Sequence, residues 1–447
     1  MSAQAAADLA KRLLEHRQGE AERLERIRSY LSPQVPPPAA GGFGGLRMQW
    51  LPPDAPVEVR KLAAIARVNM LRYIVSARVQ SMYVDGYRAA RVADNAPQWE
   101  IWQRNQMDAR QIGIHRGAVS YGAAYVTILP GDPVPVMRGA SPRHLTAVYG
   151  DDEEWPEYAL QRRKGDWRLY DREAVYTLQR ADSGFEVVDV AIHGAAVDGR
   201  PVCPVIRYRD TDDLDDPVVG IVEPLIDLQD QIDVTTFGLL VAQHYGAFRQ
   251  RYILGWIAET ETQRLKASAS KLWTFEDPEI KVGEFGQTDV NGYIASREAT
   301  LRHLATVSQT PAHELLGQLV NLSAEALAAA EKSHRRAVEE NQAVLGEAHE
   351  QALYLAGEYA GMQPAPDAEV RWRDTESRSL AQVADALGKL AAQLGIPPQE
   401  LWERIPGVTD QELERWKAAA EQGDPLARLE QQLTRQGILG EQVTGGQ

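Results

Sequence analysis

Pairs of histidine and glutamate are the residues of this sequence that come closest to a metal-binding or catalytic pattern. Glu331 and His334 have the spacing of half a carboxylate-bridged di-iron motif, but the second half has no counterpart. His313 and His349 each precede a glutamate, yet each lacks the second histidine that a zinc-protease helix requires. We therefore predict no bound metal and no cofactor.

Other candidates for catalysis are equally isolated. His115 follows Asp108 at helical spacing, which suggests a base with an orienting acid; the alternative, a hydrogen-bonded and partly buried histidine, is the one we favour. Cys203 is the single cysteine, so it forms no intrachain disulfide, and we expect it in the core or at a strand edge. The chain has no phosphate-binding loop, no Gly-x-Gly-x-x-Gly and no nucleophile elbow. The prediction is a protein without enzymatic activity, with a metal-dependent nucleic-acid enzyme as the alternative.

Composition bounds the possible partners. The chain has 447 residues, which suggests about three domains at roughly 150 residues each. A net charge of -15 makes the average surface repel free DNA, although a conduit through which DNA slides remains compatible with it. No stretch approaches the ~20 apolar residues of a membrane helix, and the first residues lack the apolar core of a signal peptide. We expect a soluble, cytoplasmic setting during assembly and no membrane contact.

The elements that position these residues follow from apolar spacing. Helical periodicity predicts helices at 5–31, 57–82, 97–119, 218–248, 290–308, 323–360, 376–394 and 409–422, with a helical turn at 398–404. We expect the first of these helices to be exposed or dependent on a partner. Residues 33–45 form a Pro- and Gly-rich linker, and residues 436–447 a disordered tail.

Strands are predicted where short β-branched and aromatic runs alternate with turns. Between 124 and 210 such runs indicate a meandering antiparallel sheet, and runs at 251–256, 271–275 and 280–282 indicate a compact strand-rich insert between two helices. The segment 310–321 has the composition of a loop. The predicted fold class is α+β.

Four acidic residues form a stripe along the predicted helix 218–248: Glu223, Asp227, Asp230 and Asp233. One interpretation is an ordinary solvated face; the other is a channel-lining face that repels phosphate. Repulsion between carboxylates at this spacing costs only a few tenths of a kcal/mol per pair, so the pattern alone does not choose between them.

The order of elements and several local segments resemble the portal proteins of long-tailed phages. The segments that carry the resemblance are 69–75 (NMLRYIV), 81–87 (SMYVDGY), 102–108 (WQRNQMD), 118–126 (AVSYGAAYV), 141–145 (SPRHL) and 223–230 (EPLIDLQD). Together they extend over about residues 20–400. The resemblance rests on the ordered set of segments.

The resemblance implies a portal architecture with named parts. They are a wing (1–216, with its long helix at 322–361), stem helices (217–248 and 289–309), a clip (249–288), a tunnel loop (310–321), a short helical crown (362–435) and a disordered tail (436–447). It also implies a homo-oligomeric ring, commonly a dodecamer, at one capsid vertex of the virion.

The same resemblance implies mechanical partners. Double-stranded DNA passes through the ring during packaging and ejection, the clip docks the terminase and later the head–tail adaptors, and the capsid or scaffold protein surrounds the ring. Because the terminase hydrolyses ATP, the missing phosphate loop is expected. The alternative within this class is another virion component, a head-morphogenesis or adaptor protein.

Candidate contact residues follow from these parts. In the tunnel loop, polar residues without lysine or arginine suit weak, sequence-blind DNA contact: His313, Gln318 and Asn321. At the stem–clip junction, Arg249 and Arg251 would meet phosphate or, as we favour, an acidic residue of the neighbouring subunit. In the clip, four aromatic residues are expected at a subunit interface or in a small core: Tyr252, Trp256, Trp273 and Phe275.

Overall fold

The computed structural model describes most of the chain in two compact units, Met1–Trp372 and Arg373–Gln447. The described residues are 1–32, 52, 54–89, 95–150, 154–181, 184–214, 219–247, 251–254, 281–284, 289–317, 324–363, 366–373, 380–405, 407–408 and 410–423. The predicted linker 33–45, strand 271–275 and tail 436–447 lie outside them.

The first unit contains nine described helices. They are α1 Ala3–Leu31, α2 Val57–Ile65, α3 Met70–Gln80, α4 Trp99–Arg104, α5 Met107–Tyr121, α6 Ile226–Ala247, α7 Asn291–Val307, α8 Ala312–Leu316 and α9 Ala324–Tyr359. A 3-10 turn, Glu223–Leu225, precedes α6. The segment 310–321, predicted as a loop, therefore contains one short helix.

The first unit also contains strands, which pair antiparallel. They are β1 Val84–Ala89, β2 Ala123–Leu129, β3 Val136–Ala140, β4 Leu145–Val148, β5 Tyr158–Arg162, β6 Trp167–Tyr170, β7 Ala174–Ala181, β8 Gly184–Ile192, β9 Ala196–Val197, β10 Arg200–Pro201, β11 Val205–Arg209, β12 Arg251–Leu254, β13 Lys281–Glu284 and β14 Ala368–Trp372. The larger sheets have the orders β4-β5-β6-β7-β8 and β11-β2-β3, and β1–β14, β9–β10 and β12–β13 form pairs. A mixed fold of helices and antiparallel sheets is confirmed.

The helix predicted at 57–82 is broken between α2 and α3. Asn69 caps α3, since its side chain accepts a hydrogen bond from the backbone N–H of Arg72. Side chains of α6 satisfy the backbone in the break: Gln229 accepts from the N–H of Met70, and Asp233 accepts from the N–H of Val68. Tertiary contacts therefore replace the helical hydrogen bonds that a continuous helix would have made.

The helix predicted at 97–119 is also divided. Gln106 separates α4 from α5 with a φ of 55°, a left-handed conformation that a non-glycine residue adopts at a cost. Asn105 offsets this cost, because its side chain donates to the carbonyl of Pro135 and accepts from the N–H of Met137. The turn is thereby fixed against β3.

Helix α1 is packed along its length, which corrects the expectation of an exposed helix. Ala6, Ala10 and Leu13 are buried against the five-stranded sheet, where they meet residues such as Leu169 and Tyr176. Further along, α1 joins the main core through Ile27 and Tyr30, and Leu24 is also buried. The small alanine side chains allow the helix to approach the sheet closely.

The main core lies between α3, α4, α5, α9 and the sheets β11-β2-β3 and β1–β14. Its largest fully buried side chains include Trp102, Tyr87 and Tyr208. Strand β14 was not predicted from the sequence. It falls within the range predicted as crown, yet it pairs with β1 inside the first unit.

The second unit is helical where it is described. Its elements are α10 Leu380–Leu394, α11 Pro398–Leu401, a 3-10 turn Trp402–Arg404 and α12 Asp410–Gly423. Trp402 and Trp416 meet edge to face at 6.2 Å between ring centroids, and Leu401 and Leu413 are buried. In the described part of the chain, no helix has the length and apolar character to cross a membrane.

Candidate functional site

The turn between α7 and α8 is anchored by a buried arginine. The guanidinium of Arg78, on α3, donates to the carbonyl of Ser308 at 2.9 Å and to the side-chain oxygen of Asn341, on α9, at 3.0 Å. Gln309 follows Ser308 with a φ of 53°, and the Ser308 hydroxyl donates to that of Thr310. Arg78 thus ties the start of the 310–317 segment to two helices of the first unit.

A buried carboxyl completes this network. The Asn341 amide donates to the backbone carbonyl of Asp210 at 2.7 Å and to its side chain at 2.9 Å. Burial raises the pKa of Asp210 to about 7, against the opposing effects of the Arg78 charge and the Asn341 hydrogen bond. Near neutral pH the network therefore holds one permanent positive charge and one titrating carboxyl.

Helix α8 carries the part of the predicted tunnel loop that the structure describes. Its Leu315 is buried, and Glu314 accepts a hydrogen bond from the hydroxyl of Tyr73 at 3.0 Å. His313 is half-buried on the same helix. Gln318 and Asn321 lie outside the described residues, so only His313 of the three predicted DNA-contact residues has a position here.

Three of the four residues of the acidic stripe bind partners within the same chain. Glu223 pairs with Arg23 of α1 at 2.7 Å, Asp230 accepts from the Tyr30 hydroxyl at 2.8 Å, and Asp233 is buried in the break between α2 and α3. Asp227 differs, because its side chain is 88% exposed and lies 3.7 Å from Arg26. In the single chain the stripe therefore presents one exposed carboxylate; its role in a channel stays a prediction.

The predicted strand-rich insert is described only at its two ends. Strands β12 and β13 pair antiparallel, with Tyr252 opposite Gly283 and Arg251 opposite Glu284. This hairpin stands in sequence between α6 and α7. Four of the candidate residues lie outside the described part of the chain: Arg249, Trp256, Trp273 and Phe275.

Neither a His115–Asp108 pair nor a metal-binding cluster is formed among the described residues. His115 contacts His349, not Asp108, and Asp108 accepts instead from the indole N–H of Trp102. Cys203 is fully buried, and burial raises the pKa of its thiol. Among the described side chains, no group of three or more histidine, cysteine, aspartate or glutamate residues is placed to hold a metal ion.

Sequence reasoning missed the polar network of Arg78, Asn341 and Asp210. One signal was present: Arg78 lies on the apolar face of α3, between Val75 and Val79, both buried. A charged residue within an apolar stripe indicates a buried partner. Its partners come from distant parts of the sequence, so the sequence alone does not name them.

Comparison with known proteins assigns the chain to a family. The sequence model described as "Phage portal protein, SPP1 Gp6-like" matches residues 11–426. The portal proteins of Mycobacterium phage D29 and Mycobacterium phage L5 are each 26% identical to this chain over 402 and 404 residues, and each alignment covers 81% of this chain and 80% of the relative.

Two solved structures were matched to this chain. A chain from the neck of an empty GTA particle, computed with C6 symmetry, has a TM-score of 0.49 at 13% identity and covers 85% of this chain and 94% of that chain. A chain from the virion of a native gene transfer agent particle has a TM-score of 0.47 at 14% identity, with coverages of 77% and 95%. Because the family match extends over most of its length, the chain belongs to the phage portal protein family of the SPP1 Gp6-like type.

Proposed function

We propose that copies of this chain form a closed ring, with twelve members as the resemblance implies, at one vertex of a phage capsid. Double-stranded DNA passes through the ring during packaging and ejection. The ring docks the terminase and later the head–tail adaptors, and it has no catalytic role of its own. The observation that carries this proposal is the family match over residues 11–426. Assembly takes place in the host cytoplasm.

The pair α6 and α7 is the proposed stem. Residues 234–247 of α6 contain no Asp, Glu, Lys or Arg, and a helix without a charged face is normally buried on all sides. In the single chain α7 covers one side, where Gly238 lies against the ring of Tyr293. Val234 and Ile294 are each 43% exposed. Such uncovered apolar surface supports contact with neighbouring copies.

The remaining parts follow the same scheme. The first unit, apart from the stem, the clip and the 310–321 segment, is the proposed wing. The β12–β13 hairpin belongs to the proposed clip at 249–288, and residues 373–435 are the proposed crown. The 310–321 segment is the proposed DNA-facing loop, and Arg78 fixes the direction in which it leaves α7.

Asp227 is the residue of the acidic stripe that best tests a channel-lining role, because its side chain is exposed. Changing Asp230 would break its bond to Tyr30, so the informative variant is Asp227→Lys. We expect rings to form normally and packaged DNA to decrease, because a lysine would attract phosphate in the channel. Asp189→Lys, an exposed change on β8, is the matched control. Normal DNA yield from Asp227→Lys would remove this residue from the channel.

The vertex location is tested in particles. Capsids assembled with a tagged copy of the chain, labelled with a tag-binding gold probe, should carry label at a single vertex. Label at all vertices, along the tail, or on soluble protein only would favour an adaptor or another head-morphogenesis protein. Turnover of nucleotide or nucleic acid by the purified chain with any divalent metal would overturn the proposed absence of catalysis.

A further inference from the structure

Charge is divided unevenly between two stretches of the first unit. Residues 109–144, which form most of α5, all of β2 and β3 and the loop after β3, contain four arginines and one acidic residue. Residues 337–370, which form the second half of α9 and the start of β14, contain seven acidic residues and no lysine or arginine. Because the whole protein has a net charge of -15, the first stretch is a local exception to an acidic average.

The basic stretch borders a groove of about 520 Å³ between α5 and β3, here called the basic groove. Arg110 and Arg138 are exposed and are among the residues that line it. Arg110 donates to the carbonyl of Met137 at 3.3 Å, and within the described part of the chain neither arginine forms an ion pair with a carboxylate. A side chain at Gly139 would come within 2.9 Å of Ile114, so glycine keeps the groove open. The groove therefore presents two cations that are available to a partner.

More arginines lie beside the basic groove, around the loop that follows β3. The hydroxyl of Ser141, which lines the groove, accepts a hydrogen bond from the backbone N–H of Arg143. Arg143 and Arg28 share one carboxylate, that of Glu25, at 2.9 and 3.2 Å. Burial lowers the pKa of His144, and the charges of four arginines lower it further: Arg143, Arg17, Arg162 and Arg28. Positive charge is therefore concentrated on this side of the first unit.

A second groove, of about 650 Å³, lies where α9 packs on β11 and is here called the acidic groove. Three carboxylates are among the residues that line it: Asp198, Glu347 and Glu350. Two arginines that also line it are engaged within their own chain. Arg207 lies 4.1 Å from the centre of the Tyr149 ring, and Arg209 forms an ion pair with Asp212. These arginines therefore leave the carboxylates of the groove available to an outside cation.

Like charges are crowded in the acidic groove. Burial raises the pKa of Glu350; a hydrogen bond from the N–H of Val370 lowers it, and the neighbouring charges of Glu347 and Glu369 raise it further. Glu347 is exposed and has no cationic partner among the described residues. A positive charge placed in this groove would relieve the repulsion, as a negative charge would among the arginines of the basic groove.

Sheet topology places the two grooves on opposite sides of the same subunit. The three-stranded sheet has the order β11-β2-β3. Arg207 and Arg209 of β11 line the acidic groove, whereas Arg138 and Ala140 of β3 line the basic groove. Complementary surfaces on opposite sides of a subunit produce head-to-tail association, which closes into a ring when the rotation fits. DNA would match the basic groove alone, but a second copy of this chain matches both grooves at once.

We propose that the basic groove of one copy faces the acidic groove of the next copy, with Arg110 and Arg138 directed towards Glu347 and its acidic neighbours. This inference rests on the proposed ring and adds to it a contact between neighbouring wings. Complementary charge contributes more to orientation and to the rate of encounter than to affinity. The apolar stem therefore supplies most of the binding, and this contact determines which faces of two copies meet.

Charge reversal at the two grooves tests the contact. Arg138→Glu and Glu347→Arg, each alone, place like charges against each other. Each should raise the concentration at which rings dissociate by about tenfold or more. The double variant restores opposite charges at every interface and should recover most of this loss. Arg180→Glu and Asp189→Arg, at exposed positions on β7 and β8, make the same changes in net charge and should leave the dissociation concentration nearly unchanged.

Cross-linking between separately marked copies locates the contact. Copies carrying Gly113→Cys in the basic groove, where an added side chain meets nothing within 4 Å, are co-expressed with copies carrying Val344→Cys in the acidic groove. Because the two cysteines are on different chains and Cys203 is fully buried, a covalent dimer formed by a short bis-maleimide reports an intersubunit contact. We expect such a dimer in rings. Ile192→Cys, at an exposed position, replaces Val344→Cys in the control and should give none.

The outcomes separate this contact from the ring itself. A covalent dimer absent from the control, together with recovery in the double variant, supports the proposal. Intact rings without a dimer above the control, or with dissociation unchanged by Arg138→Glu, would overturn the contact and leave the ring standing. Monomers at every concentration would overturn both. A short DNA duplex that binds native rings but not Arg138→Glu rings, without any cross-link, would assign the basic groove to nucleic acid and overturn the contact.

Discussion

The Nε2 atoms of His115 and His349 lie 2.8 Å apart in the core, where α5 meets α9. The hydroxyl of Tyr208 lies 3.1 Å from Nδ1 of His349. When that hydroxyl donates, His349 donates from Nε2 to His115, and the remaining proton of His115 sits on its buried Nδ1. Both rings are then neutral, and a proton added to Nε2 of His115 would place two N–H groups against each other.

Acid should therefore weaken the fold through this pair. Burial lowers the pKa of His115 from 6.5 to about 4, and burial also lowers that of His349. As pH falls, the histidines of the unfolded state bind protons before those of the folded state. The contribution of the neutral pair to the unfolding free energy is therefore complete above pH 6.5 and is lost as pH falls towards 4. For His115 the loss amounts to about 3 kcal/mol. Urea unfolding of the native chain and of His115→Gln gives the difference between their unfolding free energies. We expect this difference to shift against the native chain between pH 7 and pH 4.5. A difference independent of pH would contradict the neutral, buried pair.

Asp210 should change stability with pH in the direction opposite to the histidine pair: its contribution to the unfolding free energy falls as pH rises. Its folded pKa is raised by burial from 3.8 to about 7, so the folded state holds a proton that the unfolded state has lost. The stabilising contribution is complete below pH 3.8 and is lost as pH rises through 7, by about 4 kcal/mol in total. Asp210→Asn should therefore gain stability relative to the native chain as pH rises from 4 to 8. A pH-independent difference in unfolding free energy would show that Asp210 is ionised throughout.

Arg78 should control the order of the 310–317 segment. Arg78→Met leaves the Ser308 carbonyl and the Asn341 side chain without their donor, and we expect a loss of about 3 kcal/mol in unfolding free energy. Arg78→Lys should restore part of it, since an ammonium replaces one of the two bonds. Hydrogen exchange should accelerate at the amides of 310–317 more than in the five-stranded sheet. Equal acceleration everywhere would indicate general destabilisation only.

Gly220 should tolerate no side chain. A Cβ at this position would lie 2.5 Å from the backbone N of Gly122 and 2.6 Å from the backbone of Ser120, and backbone cannot move aside as a side-chain end can. Gly220→Ala should cost about 1–3 kcal/mol. Gly292→Ala, in α7 with nothing within 4 Å, is the matched control and should be neutral or stabilising by up to about 1 kcal/mol. Equal unfolding midpoints for the two variants would contradict the close approach.

The sequence predicts elements well where local pattern decides them. Strands β2 to β8 and β11 followed from β-branched and aromatic runs between Gly-Asp and similar turns, and the long helices α6 and α9 from their periodicity; the short pair β9–β10 was not predicted. The break at Asn69 was missed because Gln229 and Asp233 of a distant helix satisfy its backbone. Strand β14 was missed because its partner, β1, lies far away in the sequence.

The site was less predictable than the fold for the same reason. The acidic stripe has the helical spacing that the sequence predicts. Spacing does not reveal, however, that Arg23 of α1 forms an ion pair with Glu223 or that the Tyr30 hydroxyl donates a hydrogen bond to Asp230. Charge pattern along one helix therefore indicates a face, while the partner of that face is set by tertiary packing.

Electron micrographs of the purified full-length chain test the central claim most directly. The proposed portal role predicts closed rings of one fixed subunit number with a central channel wide enough for double-stranded DNA. Monomers at all concentrations, open filaments, or closed particles without a channel would contradict it.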